Sequence, residues 1–178
     1  MAPALINANP TIFAPTKQSL RRNDLNARAL WIDQRDESDE DSEAEEDIDQ
    51  QEVFDLIRGI SDPEHPLSLE QLHVVSAEQI ELSRNRVLVE FTPTVPHCGM
   101  STIIGLSIRV RLMRCLPERF KLDMRVKKGS HQSEDAVNKQ LNDKERVAAA
   151  LENPALVDVV EQCLSTASKR DDLNPLDL

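Results

Sequence analysis

Between Asp33 and Asp49 the chain carries eleven carboxylates, and Arg35 is the only cation among them. No packed interior can absorb such a run. Like charges at this density repel, and few apolar groups are present to offset the entropy lost on ordering. Folding is therefore confined to what lies beyond it. The formal net charge of −11 is held almost wholly by this run, which leaves the remainder near neutral. A near-neutral domain is poor evidence for a nucleic-acid binder, which usually carries a basic face. The expected organisation is a disordered acidic tail over 1–49, one α+β domain over 50–168 and a loose polar tail over 169–178. Inside the first tail, Leu25, Leu30, Trp31 and Ile32 form the one apolar patch, read either as a collapsed stretch or as a short docking segment. Ser38 and Ser42 each precede an acid by three residues, which suits an acid-directed kinase.

The 178 residues are 39% apolar, with four Phe, one Trp and no Tyr, so the core must be modest and built from Leu, Val and Ile. Cys98, Cys115 and Cys163 are widely spaced. An odd count with no CxxC argues against a disulfide framework and against a structural zinc site made from this chain alone. The implied compartment is reducing, cytoplasm or nucleus. No run approaches the roughly 18 apolar residues of a membrane span, and Met1–Pro15 does not read as a signal peptide.

Along the domain, Val53, Phe54, Leu56, Ile57 and Ile60 share a helical face. Asp62-Pro63-Glu64-His65-Pro66 is a rigid turn, because each proline fixes its own φ and disfavours helix in the residue before it. Two strands are expected over 74–82 and 86–92, joined by Ser83-Arg84-Asn85. In the second, Val87, Val89 and Phe91 alternate with more polar neighbours. Pro93-Thr94-Val95-Pro96-His97-Cys98-Gly99 is a loop. The segment 100–116 fits both strand alternation and helical spacing. Its length decides for a buried helix, with Ser101 as cap. A strand with one wet face is expected over 119–127. Ser133 caps the next helix and Asn142 a second cap, where that helix breaks. Asn153-Pro154 opens the last helix. The order α-β-β-α-β-α-α describes a small mixed three-stranded sheet covered by helices. Its β–α–β step is parallel beside an antiparallel hairpin.

Cys98 is the first residue to weigh for chemistry. It sits in a polar turn just before a long helix, whose unpaired N–H groups and dipole favour a thiolate. Gly99 leaves the backbone open to close approach. Cys115 and Cys163, within apolar stripes, read as buried fillers. Parallel strands place the loops that follow them at one sheet edge, which brings His131, in Gly129-Ser130-His131, toward Cys98. His97 reads as an exposed neighbour. Asp62, Glu64 and His65 make an acidic turn suited to meeting a partner.

Several strings occur together in a distinctive order: Asp62-Pro63-Glu64-His65-Pro66, then Pro93-Thr94-Val95-Pro96-His97-Cys98, then Asn138-Lys139-Gln140-Leu141 through Asp143-Lys144-Glu145-Arg146-Val147-Ala148-Ala149-Ala150. In these the chain resembles the eukaryotic cytosolic iron–sulfur assembly component 2 family, of SufT-like fold, over about residues 50–168, and within it the branch serving broad client sets. The resemblance implies a non-enzymatic adaptor in a targeting complex with a WD-repeat β-propeller subunit and a large HEAT-repeat adaptor. That complex brings apo-proteins of the cytosol and nucleus to the late cluster-assembly machinery. It also implies that Cys98 is the reactive cysteine and that His131 is the histidine of the Gly-Ser/Thr-His loop.

One cysteine cannot hold a cluster, since about four protein ligands are usual. No stably bound cofactor is expected. An iron–sulfur cluster would be held transiently at most, with ligands from a partner or a second copy, and exchange of a hairpin or helix would make a homodimer. Cys98 acts either as that transient ligand or as a recognition contact. The competing readings are a cluster- or metal-binding chaperone and a cysteine hydrolase using Cys98 and His131, for which no third group is evident.

Overall fold

The computed structural model describes residues 10–15, 48–95 and 99–171. The first helix, α1 (Gln50–Ile57), starts where the Asp49 carboxylate accepts the Glu52 N–H at 2.7 Å, and it buries Val53, Phe54 and Ile57. It ends at Arg58, whose N–H reaches the Phe54 carbonyl, and the chain turns at Gly59.

The expected first strand is shorter than its sequence signal. Val74 and Val75 are both buried, which a strand with one wet face does not allow, and Ala77–Gln79 forms a single 3-10 turn. The strand proper, β1 (Ile80–Ser83), pairs antiparallel with β2 (Arg86–Phe91) from Ile80↔Val89 to Ser83↔Arg86. β2 then pairs in parallel with β3 (Lys121–Val126), giving the order β1-β2-β3. The register puts Val87, Val89 and Phe91 beside Leu122, Met124 and Val126 on the inner face. Arg86, Leu88 and Glu90 lie beside Lys121, Asp123 and Arg125 on the outer one. Arg86 and Asp123 are ion-paired there.

The step from β2 to β3 is made by α2 (Met100–Cys115), as its length predicts. It is buried on most of its circumference, with Ile104, Ile108 and Leu112 at 2% exposure or less, because α1 and α5 lie against it as well as the sheet. Gly105 is where it comes closest to its neighbours. A Cβ there would stand 2.3 Å from Leu141 Cδ1 and 3.0 Å from Phe91 Cζ. Ser101 is not the cap. It is buried inside the helix, and Gly99 holds the N-cap position with no side-chain bond. Arg109, buried in the same helix, donates through Nη1 to the carbonyls of Leu122 and Leu141, both at 3.0 Å. Burial holds its pKa below the usual guanidinium value, and Asp123 opposes that shift.

After β3 come α3 (Glu134–Asn142), α4 (Lys144–Leu151) and α5 (Pro154–Asp171), so the segment from Ser133 does divide. The cap of α4 is Asp143, which accepts from the N–H groups of Glu145 and Arg146. Asn142, expected in that role, does something else. Its Oδ1 accepts the Met124 N–H and its Nδ2 donates to the Met124 carbonyl, both at 2.8 Å. One turn earlier Asn138 Oδ1 accepts the Val126 N–H at 2.7 Å. The two amides thus occupy the free edge of β3 as a fourth strand would. At the opposite edge of the sheet, Gln50 Nε2 donates to the Ile80 carbonyl at 2.7 Å. Ser133 stands at the N-cap position of α3 but makes no side-chain cap, and its N–H goes to His131 Nδ1.

Within the expected N-terminal tail, residues 10–15 have a defined place. The Phe13 N–H donates to the Gln71 carbonyl at 2.8 Å, and its ring lies 4.8 Å from that of His73. The acidic run from Asp33 to Asp47, the patch from Leu25 to Ile32, and Ser38 and Ser42 lie outside the described residues. No helix among the described residues is long and apolar enough to cross a membrane.

Candidate functional site

The rigid turn expected at Asp62–Pro66 is built around one carboxylate. Asp62 is 5% exposed, and its Oδ1 accepts the N–H groups of Glu64 (2.8 Å) and His65 (3.0 Å). This local bonding fixes the residues between Pro63 and Pro66. The Asp62 N–H donates to the Leu67 carbonyl at 2.9 Å, and Ser61 and Ser68 form an isolated antiparallel bridge that closes the base of the turn.

The other oxygen of Asp62 reaches across the chain. Oδ2 accepts from Thr94 Oγ1 at 3.3 Å. Thr94 belongs to the string that follows β2, so two motifs separated in sequence meet in space. Pro96, His97 and Cys98 lie outside the described residues, and their expected roles are taken up below as proposals. Gly99 is exposed at the head of α2, with nothing within 4 Å of where a Cβ would stand.

The sheet delivers the other expected neighbour. Because β2 and β3 are parallel and end at the pair Phe91↔Val126, the loops after them leave from the same edge, and the Lys127 N–H bonds the Phe91 carbonyl at 2.8 Å. His131 sits in the second of these loops, 9% exposed, with Nδ1 accepting the Ser133 N–H at 3.0 Å. Accepting through Nδ1 leaves the ring proton on Nε2. This is the setting of a histidine that shapes a loop, since the nitrogen a general base would use on that side is already engaged.

The turn opens on a cleft of about 430 Å³ whose far wall is α5, through Val159, Gln162, Cys163 and Thr166. That wall is tied down by backbone. The Ser61 N–H donates to the Cys163 carbonyl at 3.0 Å, and Thr166 Oγ1 donates to the Gly59 carbonyl at 3.0 Å. Sequence reasoning missed Thr94, Gln162 and Thr166. Nothing in the spacing of the chain marks residues so far apart as neighbours of Asp62.

The cysteines divide. Cys163 is 3% exposed, and burial pushes its thiol up from the usual range. Cys115, expected as a buried filler, is exposed, because it falls on the last turn of α2 beside exposed Met113 and Arg114. In the native protein a thiol reagent is therefore expected to label Cys115 promptly, whereas Cys163 reacts only as fast as the protein opens. Peptide mapping by mass spectrometry, with and without denaturant, reads both rates and gives that of Cys98 in the same experiment.

This α+β domain has relatives in animals and plants. Residues 50–121 match the family model described as "Iron-sulfur cluster assembly protein". The chain is 60% identical over 132 residues to "Cytosolic iron-sulfur assembly component 2B" of Mus musculus, covering 73% of this chain and 81% of that one. It is 52% identical over 166 residues to "Protein AE7" of Arabidopsis thaliana, covering 92% and 98%. It is 57% identical over 161 residues to "MIP18 family protein galla-2" of Drosophila melanogaster, covering 89% and 94%. The chain belongs to this family, the cytosolic iron–sulfur assembly component 2B or MIP18 proteins.

Proposed function

We propose that this chain is a non-catalytic adaptor in the maturation of cytosolic iron–sulfur proteins. The observation that carries the reading is identity of 45–60% to relatives across most of the chain, two of them named for cytosolic iron–sulfur assembly. In this reading the chain joins a WD-repeat β-propeller subunit and a large HEAT-repeat adaptor in a targeting complex. The complex presents apo-proteins of the cytoplasm and nucleus for cluster insertion. Cys98 is the functional cysteine and works at a shared surface, as a transient cluster ligand or as a contact that recognises a partner. His97, Gly99 and His131 surround its action, and the turn of Asp62, Glu64 and His65 meets a partner.

Two features support an adaptor. The Asp62–Thr94 bond joins the turn to the segment leading to Cys98, so a partner seated on one bears on the other. Nδ1 of His131 is committed to the loop, which is poor ground for a hydrolase. The test is Cys98→Ala in cells. Client proteins are expected to lose most of their cluster loading, read by iron incorporation, while the chain still copurifies with stoichiometric partners. Unchanged loading with normal assembly would remove Cys98 from the mechanism. Failure to copurify with any partner, in the unaltered chain, would remove the adaptor reading.

A further inference from the structure

We propose that residues 10–15 are a tethered peptide ligand of this chain's own domain, a strap that Phe13 seats on a receptor built by the turn from Ser68 to His73. The contact has two parts. The Phe13 N–H donates to the Gln71 carbonyl at 2.8 Å, and the Phe13 ring lies 4.8 Å from the His73 imidazole at a tilt of 38°. A main-chain bond beside a side-chain contact is how an extended peptide is held and selected. The ring spacing lies within the range that such pairs favour.

The receptor is built without help from the strap. Gln71 Oε1 accepts from the N–H and the hydroxyl of Ser68, at 3.0 and 3.1 Å, which fixes the residue whose carbonyl takes Phe13. The His73 N–H returns to the Glu70 carbonyl and the Val74 N–H to the Leu69 carbonyl, both at 2.9 Å. The Val74 carbonyl in turn accepts the Thr92 N–H at 2.8 Å, which fastens the turn to the end of β2. Among the described residues His73 is the one non-glycine with a positive φ, 55°. That conformation is costly for a residue with a side chain, and such outliers gather at binding sites. Here it lets Leu72 and Val74 enter the core on either side while the imidazole stays at the surface.

The seat is shallow, since Ile12 and Phe13 are both exposed, so the strap relies on two aids. Pro10 and Pro15 fix φ at both ends of an extended stretch, which lowers the entropy lost on seating. The tether is the second. Gln50 Nε2 donates to the Ile80 carbonyl at 2.7 Å, so the chain rejoins the domain on the same stretch, 71–80, that carries the receptor. A ligand with a dissociation constant of about 0.1 mM in trans would, at an effective concentration of about 1 mM, be seated about nine-tenths of the time. Ser68 also pairs with Ser61 at the base of the Asp62–Pro66 turn, so release of the strap changes the surface beside that turn.

The test uses the full-length chain and a labelled peptide of residues 10–15, followed by fluorescence anisotropy. The peptide is expected to bind Phe13→Ala, whose receptor is vacant, and to bind the unaltered chain about tenfold more weakly, because the strap competes. A peptide with alanine in place of its phenylalanine is expected not to bind. His73→Gly in the Phe13→Ala background is expected to abolish binding at unchanged or higher thermal stability, since glycine accepts a positive φ and only the ring is lost. No binding to Phe13→Ala, equal binding to both chains, or retained binding in the double variant would each overturn the proposal. So would dimerisation of the unaltered chain that Phe13→Ala abolishes, which would seat the strap on a second copy. None of these readouts involves a client protein or an assembly partner, so the adaptor reading stands or falls separately.

Discussion

Arg58→Ala is expected to remove about 3–5 kcal/mol of folding stability, a large share of the roughly 5–15 kcal/mol that a domain of this kind holds. Arg58 is 7% exposed, and its Nε lies 3.1 Å from Glu70 Oε2 on a residue 6% exposed. Its Nη1 also meets Asp55 at 2.9 Å, and its guanidinium lies 5.5 Å from the centre of the Phe54 ring. Truncation strips a buried carboxylate of its cation. The cost comes mainly from the desolvated charge left behind, and only in small part from the attraction that the pair supplied. Denaturant unfolding measures it as a lowered midpoint with little change in slope. The double change Arg58→Met with Glu70→Leu should recover much of the stability, since apolar replacement of a whole buried pair is often neutral or favourable. A single variant as stable as the unaltered chain would show that this pair is not desolvated as described.

The second large effect is expected at the edge of the sheet. Replacing Asn138 and Asn142 together with alanine leaves the Met124 N–H, the Met124 carbonyl and the Val126 N–H without their partners on two residues that are each 1% exposed. At about 1–3 kcal/mol for each of the three unmet groups, the double variant should lose about 3–9 kcal/mol. It should also gain a tendency to associate, because a bare strand edge is a template for another strand. Unfolding curves and sedimentation at several concentrations read the two consequences separately. Full stability in a strictly monomeric variant would mean that the amides are ornamental.

What the sequence discloses follows from the range over which each signal acts. The alternation of Val87, Val89 and Phe91 is local, and β2 forms where it says. The segment 100–116 carries both periods, and the burial of α2 on most sides explains why. A helix enclosed by the sheet and by other helices has no wet face to stamp a single period on its residues. The β1 boundary is misplaced by sequence because Val74 and Val75 are strand formers by type that are buried side by side in an irregular segment. Asn142 suits a cap by its chemistry, but its amide is spent on a strand 18 residues away. At the site, the turn at Asp62 is legible from its prolines. The bond with Thr94 and the wall formed by α5 are not, since neither leaves a mark on neighbouring residues.

The bonds from Gly59 and Ser61 to Thr166 and Cys163 have a consequence for how the protein is made. The turn that carries Asp62 leans on α5, the last of the described helices in chain order. On the ribosome the hairpin of β1 and β2 can form early, but the base of that turn has no wall until residue 167 has left the exit tunnel. A nascent chain halted before this point would display the acidic turn unbraced. The brace is thus a late contact of folding, made after the hairpin of β1 and β2.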